Sequence, residues 1–166
     1  MTANDGGAFT IRRATHDDVE AVQRLFRTTV LTVNAADYTP DEVADWAACG
    51  DDEERWHGFI DTLHFVVAVD GAGEVAGYAS LRGDGYLHSL FTHRDWQGQG
   101  VATALLGEVE RHAVQSGISL IRTEASITAR PFFERRGYVV EAEQKARARR
   151  LWMTNFRMWK RLEQTH

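Results

Sequence analysis

The apolar residues of this chain recur at helical spacing in some segments and form short β-favouring runs in others. Helical spacing predicts amphipathic helices, whose inward faces are Val19, Val22, Leu25 and Phe26; Val43, Trp46 and Ala47; Trp56, Phe59, Ile60 and Leu63; and Val101, Leu105, Leu106, Val109 and Ala113. The β-favouring runs predict strands at 9–13, 64–69, 75–81, 86–92, 119–125, 138–143 and 151–159. Thr15, Thr39 and Thr128 are expected to cap helices. The pattern is that of a mixed α/β chain.

One segment combines a predicted strand, two glycines and a predicted helix. Gly98 and Gly100 lie between the strand at 86–92 and the helix that begins near Val101. Glycines let backbone N–H groups approach a ligand closely, and a helix N-terminus adds partial positive charge. The segment therefore predicts a site for phosphate or pyrophosphate. A P-loop is disfavoured because no lysine follows, and a dinucleotide fingerprint is disfavoured because Thr103 replaces its third glycine.

Composition and charge exclude several classes of protein. The length of 166 residues with 43% hydrophobic residues predicts one folded domain, over residues 9–166, behind a flexible tail at 1–8. A net charge of -5 disfavours nucleic-acid binding, and no apolar run approaches the roughly 20 residues that span a bilayer. Cys49 is the single cysteine, and no histidine or cysteine spacing fits a metal site. We therefore expect a cytoplasmic protein with no metal, no nucleic-acid partner and no membrane partner.

Two motifs, in this order, resemble a known family. Gln97-x-x-Gly100-x-Ala102 resembles the [RQ]-x-x-G-x-[GA] turn of the GCN5-related N-acetyltransferases (GNAT), and residues 129–138 resemble the later helix of that family. Segments 36–40, 124–126 and 155–158 are similar to its YafP-type branch. The resemblance covers nearly the whole chain. It implies a single GNAT-like α/β (α+β) domain in which helices flank a mixed, mostly antiparallel sheet of about seven strands.

The resemblance implies acetyl-coenzyme A as cosubstrate. Its pyrophosphate would lie on the backbone N–H groups of residues 97–102. In the family, the strand before this turn carries a bulge and separates from the next strand, which would expose backbone groups of Leu90 and Thr92 to the pantetheine arm. The Leu90 N–H would lie near the thioester carbonyl. The expected cofactor contacts are Leu90, Phe91, Thr92, Gln97, Gly98, Gln99, Gly100, Val101, Ala102, Ser126, Ala129, Phe132 and Phe133.

The implied reaction is acyl transfer to an amine, which needs a proton acceptor because such amines titrate near ~10. His88 and Tyr86 on the cofactor strand, and Glu124 at the end of the next strand, are the candidates. Phe133 stands where the family usually has the tyrosine that protonates the leaving thiolate. We therefore expect the Ser126 hydroxyl to contact the pantetheine or sulfur region and to replace that donor in part.

Several of these residues also have structural interpretations. Tyr38, Trp46 and Trp56 are candidates for the acceptor pocket, but aromatic residues at helical spacing are more often core residues. Glu124 could pair with an arginine such as Arg122 or Arg130, and His88 could be structural. The basic run at 145–150 predicts a solvated hairpin.

Three functions remain open at this point. The first is an N-acetyltransferase that transfers directly to an amine of a small molecule or peptide, without an acyl-enzyme, since Cys49 lies outside both motifs. The second is a non-catalytic acyl-coenzyme A sensor, which Phe133 motivates. The third is an acyltransferase that uses another acyl chain or nucleophile. Family habit favours a homodimer.

Overall fold

A mostly antiparallel sheet with one parallel strand pair runs through the middle of the molecule. The computed structural model describes residues 2–3 and 8–164. The strands are β1 (Thr2–Ala3), β2 (Phe9–Arg13), β3 (His64–Asp70), β4 (Val75–Leu81), β5 (Tyr86–Thr92), β6 (Leu120–Ser126), β7 (Val139–Arg147) and β8 (Trp152–Arg161). Their order is β1-β2-β3-β4-β5-β6-β8-β7, and only the β5–β6 pair is parallel among the described strands. The predicted sheet of about seven strands is confirmed, with two-residue β1 added at its edge. Residues 1 and 4–7 of the predicted tail, and residues 165–166, lie outside the described residues.

Helices cover both faces of this sheet. They are α1 (Val19–Thr32), α2 (Pro40–Ala48), α3 (Glu53–Thr62), α4 (Val101–Gln115) and α5 (Arg130–Arg135). Successive residues of a strand point to opposite faces. Tyr78 of β4 accordingly packs in the core with α1–α3, and its neighbour Ala79 packs in the core with α4. The predicted inward face of α4 is buried throughout.

The helix starts follow capping chemistry, with one correction. The Thr39 hydroxyl accepts a hydrogen bond from the Glu42 N–H at 3.1 Å, and the Glu42 carboxylate accepts one from the Thr39 N–H at 2.9 Å. Thr15 begins a short 3-10 turn that leads into α1. The predicted Thr128 cap is wrong, because the Ser126 hydroxyl accepts the Ala129 N–H at 3.0 Å and leads the chain into α5.

The predicted hairpin at 145–150 is confirmed, and its basic side chains are exposed. Residues 145–147 form the end of β7. The N–H groups of Arg149, Arg150 and Leu151 all donate to one carboxylate oxygen of Asp45, at 2.9, 2.8 and 2.9 Å. The Asp45 side chain is only 2% exposed. The backbone of the turn is therefore anchored to α2.

β5 separates from β6 in the middle of the sheet. The two strands pair at only two positions, Tyr86 with Arg122 and Leu87 with Thr123. The β4–β5 register shifts where Ser80 pairs with Ser89 and Leu81 with Leu87, which makes His88 the extra residue of a bulge. Both features were implied by the resemblance, and together they open a cleft along β5.

Candidate active site

The glycine turn joins the open end of β5 to α4. Gly98 and Gly100 adopt φ values of +72° and +84°, which residues with a side chain rarely adopt. Open space surrounds both glycines, so backbone conformation and not crowding requires glycine here. The first N–H groups of α4 have no partner within the helix. The turn therefore presents unpaired donors at the positive end of a helix of 15 residues.

Two glutamine side chains tie the turn back to the strand end. The Gln97 amide donates to the Thr92 carbonyl at 2.8 Å, and the Gln99 amide donates to the Asp95 carbonyl at 3.1 Å. These side chains shape the turn from within the protein. Because the two side chains are used in this way, Gln97 and Gln99 would contact a ligand through their backbone groups.

The backbone of β5 presents alternate residues to the cleft. The His93 N–H donates to the Ala76 carbonyl at 2.8 Å, which fixes the alternation in the antiparallel β4–β5 pair. Leu90 and Thr92 therefore direct their backbone groups away from β4, as the resemblance implied. The Thr92 carbonyl is already occupied by the hydroxyl of Thr29 at 3.2 Å as well as by Gln97.

Phe91 occupies the opposite position in this alternation. It pairs with Tyr78 of β4, so its backbone groups are used in the sheet. Its ring packs against Phe26, Trp46 and Tyr78 on the side of α1–α3. Phe91 was predicted to contact the cofactor; it lines the cleft, with its ring among the aromatic side chains on the side of α1–α3.

The corner between β6 and α5 forms the opposite wall. Besides accepting from Ala129, the Ser126 hydroxyl lies 3.5 Å from the Asn34 side-chain amide. Phe133 is buried against Phe132 and Tyr138, so no phenolic group stands at its position. The Thr128 hydroxyl, which also lines the cleft, is buried without a hydrogen-bond partner among the described residues. No motif in the sequence marks Thr128 or Asn34 as lining the cleft.

Tyr86 and Glu124 belong to one hydrogen-bond network. The Tyr86 hydroxyl donates to one oxygen of Glu124 at 2.9 Å, and the Gln144 amide donates to the other oxygen at 2.6 Å. Burial, together with the hydrogen bond and charge of Glu124, raises the pKa of Tyr86 well above its usual value. Tyr86 is thus a donor and a poor base. The expected arginine pairing of Glu124 is wrong, because Arg122 binds Asp84 at 3.2 Å and Arg130 binds Glu134 at 3.3 Å.

His88 lies exposed at the mouth of the same cleft. Its ring centroid is 4.6 Å from that of Phe59 and 6.4 Å from that of Tyr86. Partial burial, and the positive charges of Arg55 and Arg82, lower the pKa of His88 below its usual value. The imidazole is therefore neutral at pH 7 and able to accept a proton.

The three predicted acceptor-pocket residues all line the cleft, in different ways. Tyr38 uses its hydroxyl within the protein, donating to the Thr154 carbonyl at 2.7 Å and accepting the Ile127 N–H at 2.9 Å. Trp56 is buried, and its indole N–H donates to the Gly50 carbonyl at 2.9 Å. Trp46 is half-buried between Phe26 and Phe91. Of these three residues, Trp46 lines the cleft with a half-buried ring and with an indole N–H that makes no hydrogen bond to the described residues.

These walls enclose one cleft of about 1040 Å³. It runs from the glycine turn, along β5, to the aromatic side chains of α1–α3. Arg55, Arg135, Arg136 and Arg147 line it, whereas Glu124 is the one carboxylate among its described lining residues. No group of three or more His, Cys, Asp or Glu side chains in the described part of the chain could hold a metal ion. None of the described helices combines the length and apolarity needed to cross a bilayer.

A glycine turn at a helix N-terminus, joined to a strand that separates from its parallel neighbour, defines the acetyltransferase class of α/β folds. Residues 34–160 match the family model of the acetyltransferase (GNAT) domain. The chain is also 32% identical over 148 residues to the uncharacterized N-acetyltransferase YafP of Escherichia coli (strain K12), which covers 89% of this chain and 93% of the relative. The chain belongs to the GNAT acetyltransferase family.

Solved structures show the same fold. A GCN5-related N-acetyltransferase from Rhodopseudomonas palustris, also described as "Aminotransferase, Class-II", superposes with a TM-score of 0.90 at 26% identity, over 98% of this chain and 99% of that one. The PaiA N-acetyltransferase of Thermoplasma acidophilum, solved with coenzyme A, gives 0.77 at 17% identity, over 93% and 99%. YncA of Salmonella typhimurium, described as an acetyltransferase and solved with acetyl-CoA, gives 0.71 at 20% identity, over 95% and 96%.

Proposed function

We propose that this protein transfers the acetyl group of acetyl-CoA directly to an amine of a small molecule or peptide. The observation that carries the proposal is the continuity of the cleft. It leads from the glycine turn along the free edge of β5 to the place where His88 and Glu124 lie. Family membership and the coenzyme A and acetyl-CoA complexes of two structural neighbours support the same reading.

The residues of the cleft fit acetyl-CoA. The N–H groups at 97–102 suit a pyrophosphate, and the unpaired edge at Leu90 suits the amide-containing arm. Bound there, acetyl-CoA would supply an acyl group activated as a thioester. The Leu90 N–H is the donor that would stabilise negative charge on the thioester oxygen, an interaction worth ~10²–10³ in rate in comparable oxyanion holes.

The proton of the acceptor amine has two candidate acceptors in this chain. His88 is neutral at pH 7 and lies at the cleft mouth. Glu124 is held in place by Tyr86 and Gln144, which fixes the orientation of its carboxylate. We assign the base to His88 and assign Glu124 to attracting the ammonium form. Tyr86 then acts as a positioning residue.

The coenzyme A thiolate depends less on a proton donor than most leaving groups in acyl transfer do. A thiol titrates near ~8.5, so its thiolate is a tolerable leaving group near neutral pH. Ser126 and Thr128 are the hydroxyls that line the wall near buried Phe133. Their position supports a role in hydrogen bonding near the sulfur in place of the absent phenol.

The protonated thiol of Cys49, the single cysteine, also favours direct transfer. Cys49 lines the cleft, but burial and the nearby charge of Asp45 raise the pKa of its thiol. Its sulfur donates to the Asp45 carbonyl at 3.7 Å. A protonated thiol is a weak nucleophile, so we infer that no acyl-enzyme forms.

Acetyl-CoA binding tests the cofactor half of the proposal. Gly100→Ala places a side chain at positive φ, which costs roughly 1–2 kcal/mol and should distort the turn, so we expect Kd for acetyl-CoA to rise about tenfold. Gly107→Ala, in the open middle of α4 without positive φ, is the matched control and should leave Kd unchanged. Calorimetry measures both, and circular dichroism checks that both variants fold. Equal affinities, or no binding by the unaltered protein, would contradict the proposal.

The second candidate is a non-catalytic acyl-CoA sensor, and the specific observation in its favour is buried Phe133 in place of a tyrosine. Both candidates bind acetyl-CoA, but only the enzyme turns it over. Following free thiol across a panel of amines separates them. Tight binding with no amine-dependent thiol release would favour the sensor.

A further inference from the structure

The acceptor end of the cleft is built from a continuous cluster of aromatic rings. We call this the aromatic wall; it consists of Phe26, Tyr38, Trp46, Trp56, Phe59, Tyr78 and Phe91. Neighbouring rings lie 5.2–6.4 Å apart between centroids, as in Phe26–Phe91 at 5.2 Å and Phe26–Trp46 at 6.4 Å. Such spacings are typical of edge-to-face and offset packing, which a further aromatic ring can join. The wall therefore favours a ligand with a planar aromatic group.

One polar group of this wall is unused. The indole N–H of half-buried Trp46 makes no hydrogen bond to the part of the chain described. The Tyr78 hydroxyl, by contrast, is fully buried and lies close to the Ser89 side chain. Trp46 lines the cleft, so the wall offers a donor as well as rings.

The charge of this end is positive. Arg55 stacks over Phe59 at 5.2 Å and donates to the Cys49 carbonyl at 3.3 Å, but it forms no ion pair with any described carboxylate. Its charge reaches His88, whose pKa it lowers. Arg147, on the anchored hairpin, also lines the cleft without an ion pair in the described chain. An unpaired guanidinium on an aromatic ring is suited to a carboxylate.

We propose that the acceptor is an amino acid with an aromatic side chain, or a close analogue that keeps ring, amine and carboxylate together. This inference rests on the proposed function and names its substrate class. The ring packs on the aromatic wall, the carboxylate pairs with Arg55, and the ammonium group faces Glu124 before His88 takes its proton. The nitrogen then attacks the thioester carbonyl, and the C–N bond of the amide forms as the C–S bond breaks. The second proton that the nitrogen loses ends on the sulfur, which leaves as the coenzyme A thiol.

The same features disfavour polyamines as acceptors. A polyamine carries several ammonium groups and no carboxylate, so its binding would need several acidic side chains. Glu124 is the one carboxylate among the described residues of the cleft, and the arginines there would repel such a substrate. Spermidine is therefore the informative negative control.

A matched set of amines tests the inference. Phenylalanine is compared with phenethylamine, which lacks the carboxylate, with cyclohexylalanine, which lacks the aromatic ring, and with spermidine. We expect kcat/KM from thiol release to be at least about tenfold higher for phenylalanine or tryptophan than for phenethylamine and spermidine, which lack the carboxylate. Cyclohexylalanine keeps the carboxylate and loses only the aromatic ring, so we expect its kcat/KM to be about two- to tenfold lower than that of phenylalanine.

Variants of Arg55 identify the carboxylate contact. Arg55→Ala should lower kcat/KM for phenylalanine about tenfold and change that for phenethylamine less than about twofold, with Arg55→Lys restoring part of the loss. Arg24→Ala is the control, because Arg24 is exposed on α1 and pairs with Glu20 away from the cleft. A thermal melt of each variant checks folding.

The outcomes separate this inference from the proposed function. Thiol release that is fastest with spermidine or an aliphatic amine overturns the inference and leaves the acetyltransferase intact. An Arg55→Ala effect of equal size on phenylalanine and phenethylamine also overturns it. If no amine releases thiol, the proposed function fails, and calorimetry with phenylalanine then tests the binding site by itself. Phenylalanine binding that Arg55→Ala weakens supports the inferred ligand class, and no phenylalanine binding overturns it.

Discussion

His88 is itself the extra residue in the bulge of β5. Its side chain lies at the cleft mouth, beside Phe59 and near Tyr86. Partial burial and nearby arginines favour the uncharged imidazole. A base near the mouth can pass its proton to solvent directly, which suits a reaction that releases one proton per turnover.

The pH dependence of catalysis follows from the direction of this shift. Because the pKa of His88 is lowered below 6.5, kcat/KM should rise with pH as His88 loses its proton, with a midpoint below 6.5, and the base should be fully available at pH 7. His88→Ala should lower kcat about 10²–10⁴-fold and remove this acid limb. His57→Ala is the control, because His57 lies on α3, stacks on His16 and does not line the cleft. An unchanged kcat in His88→Ala would contradict the assignment of the base to His88.

Ser126 combines a structural contact with a predicted functional one. Its hydroxyl accepts the Ala129 N–H, so Ser126→Ala should cost about 0.5–2 kcal/mol of unfolding free energy, as for lost caps. We expect a larger Kd for acetyl-CoA and slower turnover in addition. Ser116→Ala, at the end of α4 outside the cleft, is the control for a lost serine. Unchanged cofactor affinity and turnover in Ser126→Ala would contradict the functional role.

At this scale, sequence reasoning found residues that lie on β5, β6 and the glycine turn, because a motif marks them. It missed Gln144, Thr128 and Arg55, which no motif marks. Gln144 reaches Glu124 only because β7 follows β8 in the sheet order, and that crossing is a property of the whole topology. The suggested arginine partners of Glu124 were wrong because other carboxylates bind them: Asp84 binds Arg122, and Glu134, one turn further along α5, binds Arg130.

At the scale of elements, the β7–β8 hairpin and α2 act as one unit. Asp45 of α2 accepts three consecutive backbone N–H groups of the hairpin, and Ala146, Arg147 and Met153 of the hairpin line the cleft. The same three hydrogen bonds lower the pKa of Asp45 to about 2. The carboxylate thus positions part of the acceptor end without touching it.

Removing this anchor should loosen the hairpin. A carboxyl with a lowered native pKa stabilises the fold above its unfolded pKa of 3.8 and loses that contribution as pH falls toward about 2. Asp45→Asn should therefore lower the unfolding free energy at pH 7 and flatten its decline over this acid range. Urea unfolding at several pH values measures both effects.

Asp41→Asn is the matched control for that experiment, because Asp41 lies exposed in the first turn of the same helix. If Asp45→Asn matches Asp41→Asn in stability at every pH, the anchoring role is wrong. A raised KM for the acceptor with unchanged Kd for acetyl-CoA would locate the effect at the acceptor end.

Periodicity predicted most elements because their signals are local. The strand at 86–92 and the inward face of α4 match the structure. The hairpin at 145–150 was also predicted, but its anchoring to α2 was not, because the anchor is a carboxylate about 105 positions away, as the Asp45–Arg150 hydrogen bond shows. Local patterns carry no information about such distant contacts.

At the scale of the whole molecule, the two parts of the chain supply different walls of one cleft. Most of the aromatic wall comes from α1–α3 and β4, with Tyr38 before α2 and Phe91 from β5, whereas β5, α4, β6 and α5 provide the turn and the open strand edge. The chain carries a net charge of -5, yet four arginines and one carboxylate line the cleft among the described residues. This local positive charge suits both a pyrophosphate and a carboxylate-bearing acceptor.

Family membership could be predicted from two motifs because the backbone conformation of the turn requires glycines and small residues at fixed positions. The identity of the acceptor could not be predicted from the sequence, because it depends on side chains that the fold brings together from α1, α2, α3 and β5. The homodimer and the cytoplasmic location stay predictions.

The central claim is direct transfer from acetyl-CoA to an amine, and one measurement tests it most directly. The protein is mixed with acetyl-labelled acetyl-CoA and an aromatic amino acid for a single turnover, and the label is located by mass spectrometry. The account predicts the label on the amine nitrogen, none on the protein, and one free thiol per product. Label on Cys49, or label released only as acetate, would contradict it.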